Sequence, residues 1–411
     1  MLIKNVHIES QEAVKDVRIE DGKFVEIAET IERRDNEEVI EGNGKLLLPP
    51  FVDSHVHLDA TRTAGQPEWN ETGTLFDGIR IWEQRVKTIT KEDVKTRAKE
   101  TIREQVANGL QVVRSHVDVT GPNLLALEAL LELKEELKDI VELQLVAFPQ
   151  SGILSTPNGK ANMEQAVKMG VDVIGGIPHF EFNRDYGVES LKFLVDLAER
   201  YDRLVDVHCD EIDDPNSRHL EVLATLAYET GMGDKVTASH TTAMSSYNDA
   251  YTYKLFRLLG MAGLNFVANP EVNLHLGGRF DTYPKRRSMT RIKELSKAGI
   301  NVSFGEDDIK DPWYPMGNGN MLDQVQVGIL AGGLMGYSQV QEAYKFVTNN
   351  AARTLHIQDH YGIEVGKPAN CILLNQTNFY DVLNEHAEVL YSIRGGKVLV
   401  ETKPKEVSLK F

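Results

Sequence analysis

The chain has 411 residues, 41% of them hydrophobic and 26% charged, with a formal net charge of −17 at pH 7. That length exceeds one ordinary core, so one large domain plus a smaller one is expected, with the composition of a soluble globular protein. The acidic balance argues against a nucleic-acid or anionic-membrane partner, since phosphate binding rests on clustered cations. No apolar run reaches the roughly 18 residues of a membrane span, and the opening MLIKNVHIES lacks the regions of a signal peptide. A cytoplasmic location is therefore expected. Cys209 and Cys371, with no C-x-x-C between them, supply neither a disulfide framework nor a thiolate zinc site. The one basic knot, Lys285-Arg286-Arg287, reads as a loop or salt-bridge feature.

In chain order, the first fifty residues read as short alternating strands, with Asp21-Gly22 in "VKDVRIEDGKFVEI" as a hairpin turn. The pattern then changes to apolar runs of strand length separated by amphipathic helices such as "KEDVKTRAKETIREQVANG" and "NLLALEALLELKEELKD". The runs are Leu48–His57, Leu110–Val117, Leu143–Phe148, Val171–Ile177, Leu204–His208, Lys235–His240, Leu264–Ala268 and Ile300–Gly305. Eight β/α units in succession predict an α/β TIM (β/α)8 barrel over residues 50–356. The end of the chain returns to strands, "ANCILLN" and "VLYSIRGGKVLV", with a Gly395-Gly396 turn. Segments 1–49 and 357–411 are expected to pair into a small β-sandwich domain beside the barrel.

Chemistry in a TIM barrel sits at the C-terminal ends of its strands. Those ends read "DSHVHLD", "RSHVDV", "AFPQSG", "IPHFEF", "DVHCDE", "TASHTTA", "VANPEVN" and "SFGEDD". His55 and His57 share a face of their strand, because side chains alternate. Alone, the pair could be satisfied core histidines. Histidines at five of eight strand ends are hard to explain by packing, since each buried imidazole needs partners. His55, His57, His208 and Asp307 form a nitrogen-rich set with one carboxylate, which suits one divalent transition metal, Zn²⁺ or Fe²⁺, with a position left for water. The strand-four end "VIGGIPHFEF" holds no lysine to bridge two metals. His116 and His179 are expected to support the ligands, and Asp59 and Asp210 to act as supporting or helix-start acids.

At this point the chain resembles the amidohydrolase superfamily, specifically its mononuclear bacterial cytosine deaminases. The resemblance runs in order through "PPFVDSHVHLD", "TAGQPEWNETGTLFDGI", "VAFPQSGIL", "IPHFEF", "VDVHCDEIDD", "VTASHTTAMSSYN", "FVANPEVNLHLGGRFDTYPKRR" and "DPWYPMG", nearly the whole chain. It implies a barrel plus a small β-sandwich and deamination of a small amino heterocycle, first of all cytosine to uracil. Metal ligation falls to His55, His57, His208 and Asp307, and proton delivery to Glu211. His240 supports the nucleophile, and Asp307 accepts its proton. Gln150 would bind the amide edge of the ring and Asp308 the exocyclic amine, with Trp313, Leu75 and Phe148 as apolar walls. A nucleobase-like substrate and a homo-oligomer are expected.

Two positions depart from that family's pattern. Glu306 stands where "GHDD" has histidine, and Lys310 where an aromatic follows the double acid, so a charged pair at the substrate end of the site is expected. Creatinine or isocytosine are the alternative substrates. A ring-opening dihydroorotase-type enzyme is disfavoured by the missing strand-four lysine and by Glu211. A non-catalytic relative is disfavoured because all the ligands are present.

Overall fold

In the computed structural model, which describes residues 1–121 and 123–411, both marked hairpins form. β1 (Leu2–Ile8) pairs with β2 (Val14–Glu20), which turns through Asp21-Gly22 into β3 (Lys23–Ala28); β4 (Val39–Leu48) lies parallel to β1. Asp21 and Gly22 both take left-handed backbone, φ 49° and 75°, which matches the twist of the flanking strands.

The barrel strands follow: β5 (Phe51–Val56), β6 (Leu110–Asp118), β7 (Glu142–Phe148), β8 (Val173–Gly176), β9 (Leu204–Cys209), β10 (Val236–His240), β11 (Asn265–Ala268) and β12 (Val302–Phe304), all parallel and in sequential order. Most positions are buried, as expected of a parallel sheet covered on both faces. The expected strand Leu48–His57 is in fact two. Pro49 and Pro50 have no N–H to give a ladder, so Leu48 stays in the terminal sheet opposite Ile372 and the barrel strand starts at Phe51.

Helices cover the barrel: α1 (Leu75–Arg85), α2 (Lys91–Ala107), α3 (Leu125–Leu137), α4 (Gly159–Met169), α5 (Arg184–Tyr201), α6 (His219–Thr230) and α7 (Asp249–Ala262), then the short α8 (Pro270–Leu276) and α9 (Ile292–Lys297), and α10 (Met321–Gly332). α2 begins where Thr90 accepts the Asp93 N–H, a side-chain cap on an orphan donor. Among the described residues no helix is long and apolar enough to cross a membrane.

β13 (Cys371–Leu374), β14 (Val389–Arg394) and β15 (Lys397–Glu401) complete a seven-stranded sheet with β1–β4. The sheet folds over, so that Gly22 and Phe24 hydrogen-bond with Gly366, Lys367 and Ala369. Alternation splits its strands: Leu47, Cys371, Leu373 and Ile393 fill its own core, while Leu46, Leu48, Ile372 and Leu374 pack on the barrel.

The barrel closes at its functional end. Between β5 and the end of β12, His57 N donates to Asp307 O at 2.9 Å and Asp307 N to His55 O at 2.7 Å. The seam is made by residues singled out as ligands.

Candidate active site

Alternation along β5 turns Asp53, His55 and His57 to one side, and β9 turns Asp206 and His208 the same way. Their ring nitrogens meet. His55 Nε2 and His57 Nε2 each lie 3.2 Å from His208 Nε2, and each lies 3.4 Å from Asp307 Oδ1. For a tetrahedron with ligand bonds of about 2.0–2.1 Å, the edge is about 3.3–3.4 Å. Three imidazole nitrogens crowded at this spacing cannot satisfy one another, and a cation at their centre can. The donor set therefore fits a transition metal, and all four residues are buried.

The barrel floor sets the tautomer of His55. Its Nδ1 lies 3.1 Å from Ser239 Oγ, which is 2.6 Å from Asp206 Oδ1, and Arg114 reaches Asp206 Oδ2 at 2.9 Å. Asp206 can only accept from Ser239, so Ser239 accepts from His55 Nδ1–H, and the Nε2 lone pair is left facing the metal position. His116 stacks on His55 with ring centroids 3.8 Å apart and lies outside the four-residue set.

Ser239 points at His55, so plain alternation would turn His240 away. A left-handed backbone at His240 (φ 66°) and Thr241 (φ 46°) brings the ring back over the site, a strain of the kind found at functional positions. His240 Nδ1 sits 3.2 Å from Glu211 Oε1, 3.7 Å from Asp307 Oδ2 and 3.0 Å from Asn273 Nδ2. Burial, followed by the nearby Asp307 charge, holds the Glu211 carboxyl well above the ordinary range, which favours its protonated form. Asp307 is the opposite case: burial would raise it, but His240, His55 and His57 outweigh that and keep it ionised. Asp210 anchors the loop that carries Glu211 by accepting from Ser217 Oγ and the first amides of α6, His219 N and Leu220 N.

A narrow slot opens on these groups, lined by His57, Leu75, Gln150, His208, Glu211, His240, Leu276, Asp307, Asp308 and Trp313. Gln150 is buried, and among the described residues its carboxamide makes no hydrogen bond to protein, which leaves a donor and an acceptor for a ligand edge. Asp308 is pushed well above the carboxylate range by burial and then by Asp307 and Asp311. Trp313 lies over His57 with ring centroids 6.2 Å apart, and Asp311 accepts its backbone N–H at 2.9 Å. Gly78 of α1 must be glycine here: a Cβ would stand 2.4 Å from Trp313 Cδ1.

Several expectations change. Phe148 is not a slot wall; it lies behind His208, stacked on it at 3.9 Å, and backs the ligand. Leu276 takes the wall position instead. Leu276, which lines the slot, and Asn273, which contacts His240, are positions the sequence reading missed, although their spacing of three in "NPEVNLHL" puts both on one helix face. The expected Glu306–Lys310 pair does not exist. Lys310 Nζ pairs with Glu104 at 3.1 Å, Glu306 turns away from the slot toward Gln324 and Gly319, and neither lines it. His179 lines a neighbouring cavity with His219, and burial lowers its pKa to about 4. Arg286 of the basic knot clasps Asp281, Asp213 O and Ser246, a loop feature as expected.

Comparison with known proteins agrees with this geometry. A model of the Amidohydrolase family matches residues 38–400. The chain is 30% identical over 411 residues to N-isopropylammelide isopropyl amidohydrolase from Pseudomonas sp. (strain ADP), covering 98% of this chain and 97% of that protein. It is 27% identical over 365 residues to a pterin deaminase from Rhizobium rhizogenes (strain K84 / ATCC BAA-868), covering 87% and 82%. The crystal structure of 5-methylcytosine deaminase from Klebsiella pneumoniae liganded with 5-fluorocytosine is similar over 100% of this chain and 99% of that one, with 51% identity and a TM-score of 0.98.

Proposed function

We propose that this chain, which belongs to the amidohydrolase family, is a metal-dependent hydrolytic deaminase of cytosine or a 5-substituted cytosine such as 5-methylcytosine. The observation that carries the reading is the convergence of Glu211 and Asp307 on His240 Nδ1, at 3.2 and 3.7 Å, beside the four-residue donor set and a slot with a free carboxamide at Gln150. Its likeness to the Klebsiella pneumoniae 5-methylcytosine deaminase supports the choice of ring.

His55, His57, His208 and Asp307 would hold one divalent metal, zinc or iron. Bound there, it supplies a Lewis acid that brings the pKa of a water to about 7. Asp307, its carboxylate kept ionised by the surrounding imidazoles, takes a proton from the attacking water. Glu211 gives its proton to the ring nitrogen next to the amidine carbon, so the new C–O bond forms without building charge on the ring. His240, beside Asp307 and Glu211, supports the nucleophile. As the C–N bond to the exocyclic amine breaks, Asp307 gives its proton to the leaving nitrogen and the Glu211 carboxylate takes the proton of the new hydroxyl, so the carbonyl forms, ammonia leaves and both carboxyl groups return to their starting states. Gln150 orients the ring by its N–H/C=O edge, Asp308 faces the amine side, and Trp313 with Leu75 and Leu276 excludes water from the ring faces.

Ammonia release over cytosine, 5-methylcytosine, isocytosine, creatinine and cytidine tests this. The cytosines should turn over, and cytidine, blocked by its sugar at the edge Gln150 reads, should be inert. Turnover of creatinine or isocytosine with inert cytosines would overturn the choice of ring.

A further inference from the structure

Glu306 is buried, faces away from the slot, and joins three elements that build it. Its backbone N–H donates to Asp53 Oδ1 at 3.0 Å, and Asp53 also accepts the His55 N–H at 3.1 Å. Its Oε1 accepts from Gly319 N at 3.2 Å, on the loop that leaves β12 and carries Asp311 and Trp313. Its Oε2 accepts from Gln324 Nε2 of α10 at 3.4 Å. The same Gln324 amide holds the first turn of α8: Nε2 donates to Glu271 Oε2 at 3.0 Å, and Oε1 accepts from Glu271 N at 3.2 Å. α8 carries Asn273, the partner of His240, and Leu276, the second wall of the slot. Trp313 on one side and Leu276 on the other thus hang on one carboxylate through one buried amide.

We infer that Glu306 is a specificity-setting positioning residue: through Gly319 and Gln324 it fixes the separation of the Trp313 and Leu276 walls, and with it the ring substituents that the slot admits. The departure of this chain from the histidine of the cytosine-deaminase pattern then acts on the substrate without touching it. A side chain in direct contact would select by its own hydrogen bonds. A brace selects by geometry, so its loss loosens both walls together and leaves the metal ligands in place.

The specificity part rests on the deaminase reading, and the test separates the two. Metal-loaded natural protein is compared with Glu306→Ala, Glu306→Gln, Gln324→Ala and the Glu306→Ala/Gln324→Ala double variant. The readouts are backbone hydrogen exchange, metal content, and kcat and KM for cytosine and 5-methylcytosine. Glu306→Ala should speed exchange in both 309–320 and 270–276 by about fivefold or more, the worth of one net buried hydrogen bond. It should shift the ratio of the two specificity constants by a similar factor through KM, with kcat and metal content kept. Glu306→Gln, which retains an acceptor for Gly319 N, should recover part of both effects. The double variant should fall short of the sum of the two singles, because both side chains share the Glu306–Gln324 contact. Exchange unchanged in either segment, an unmoved ratio in a looser protein, or additive single effects would each overturn the brace. Natural protein inert on both cytosines would reject the deaminase reading, while the exchange comparison would still decide whether Glu306 braces the two walls.

Discussion

Replacing Ser239 by alanine should weaken metal binding without removing a ligand. Ser239 Oγ lies between His55 Nδ1, at 3.1 Å, and Asp206 Oδ1, at 2.6 Å, and its proton is committed to the carboxylate. Without the hydroxyl, nothing holds the His55 proton on Nδ1, and the tautomer with Nε2–H directed at the metal position becomes accessible. Loss of such an outer partner costs roughly 10–100-fold in metal affinity, about 1.4–2.7 kcal/mol. The Arg114–Asp206 pair beneath, 2.9 Å apart and fully buried, survives in this variant, so the fold should be nearly unaffected. Asp206→Ala is the contrasting case. It strands the Arg114 guanidinium in the barrel floor, and a buried charge left without its partner destabilises by about 3–5 kcal/mol. Competition against a chromophoric chelator measures the affinity, and urea unfolding of the metal-free protein measures stability. Ser239→Ala with metal affinity within twofold of the natural protein would refute the tautomer reasoning.

Three further outcomes follow from the site. His208→Ala removes the nitrogen that both His55 and His57 face at 3.2 Å, so metal content and turnover should fall together, read by elemental analysis and ammonia release. Glu211→Gln should keep the metal and lose roughly 10²-fold or more in kcat. Because burial raises the Glu211 pKa and the group acts protonated, kcat/KM of the natural protein should be full below that pKa and fall as pH rises through it; this alkaline limb should be absent from the residual activity of Glu211→Gln. Gln150→Ala should cut kcat/KM by roughly 10–100-fold, the range for one strong buried hydrogen bond, with metal content unchanged by elemental analysis.

The barrel and the convergence of the candidate ligand set were legible because they rest on short periods. Eight apolar runs alternate with helices, and His-x-His can only point two rings one way. Glu211, three residues after His208, and Gln150 at the end of β7 were reached through whole motifs in order. What stayed hidden depends on side-chain direction at places where the regular period stops. His240 was read from its motif, but not the left-handed backbone that turns its ring over the site. Phe148, one of the apolar residues at the strand ends, turns its face to His208. Leu276 and Asn273 come from α8, a helix of seven residues, too short to show a clear periodicity. Glu306 sits next to a ligand in sequence yet turns to the opposite side, and Lys310 finds Glu104 on α2, about two hundred residues away in sequence. Such long-range pairings leave no local signature.

The central claim is hydrolysis of the exocyclic C–N bond of a cytosine-type ring at a metal held by His55, His57, His208 and Asp307. Its most direct test is turnover of cytosine and 5-methylcytosine in ¹⁸O-labelled water by metal-loaded and by thoroughly chelated protein. The loaded protein should release one ammonia for each ring consumed and place one solvent oxygen on the intact pyrimidinone product, and the chelated protein should do neither. A ring-opened product, or undiminished ammonia release after the metal is removed, would contradict the account.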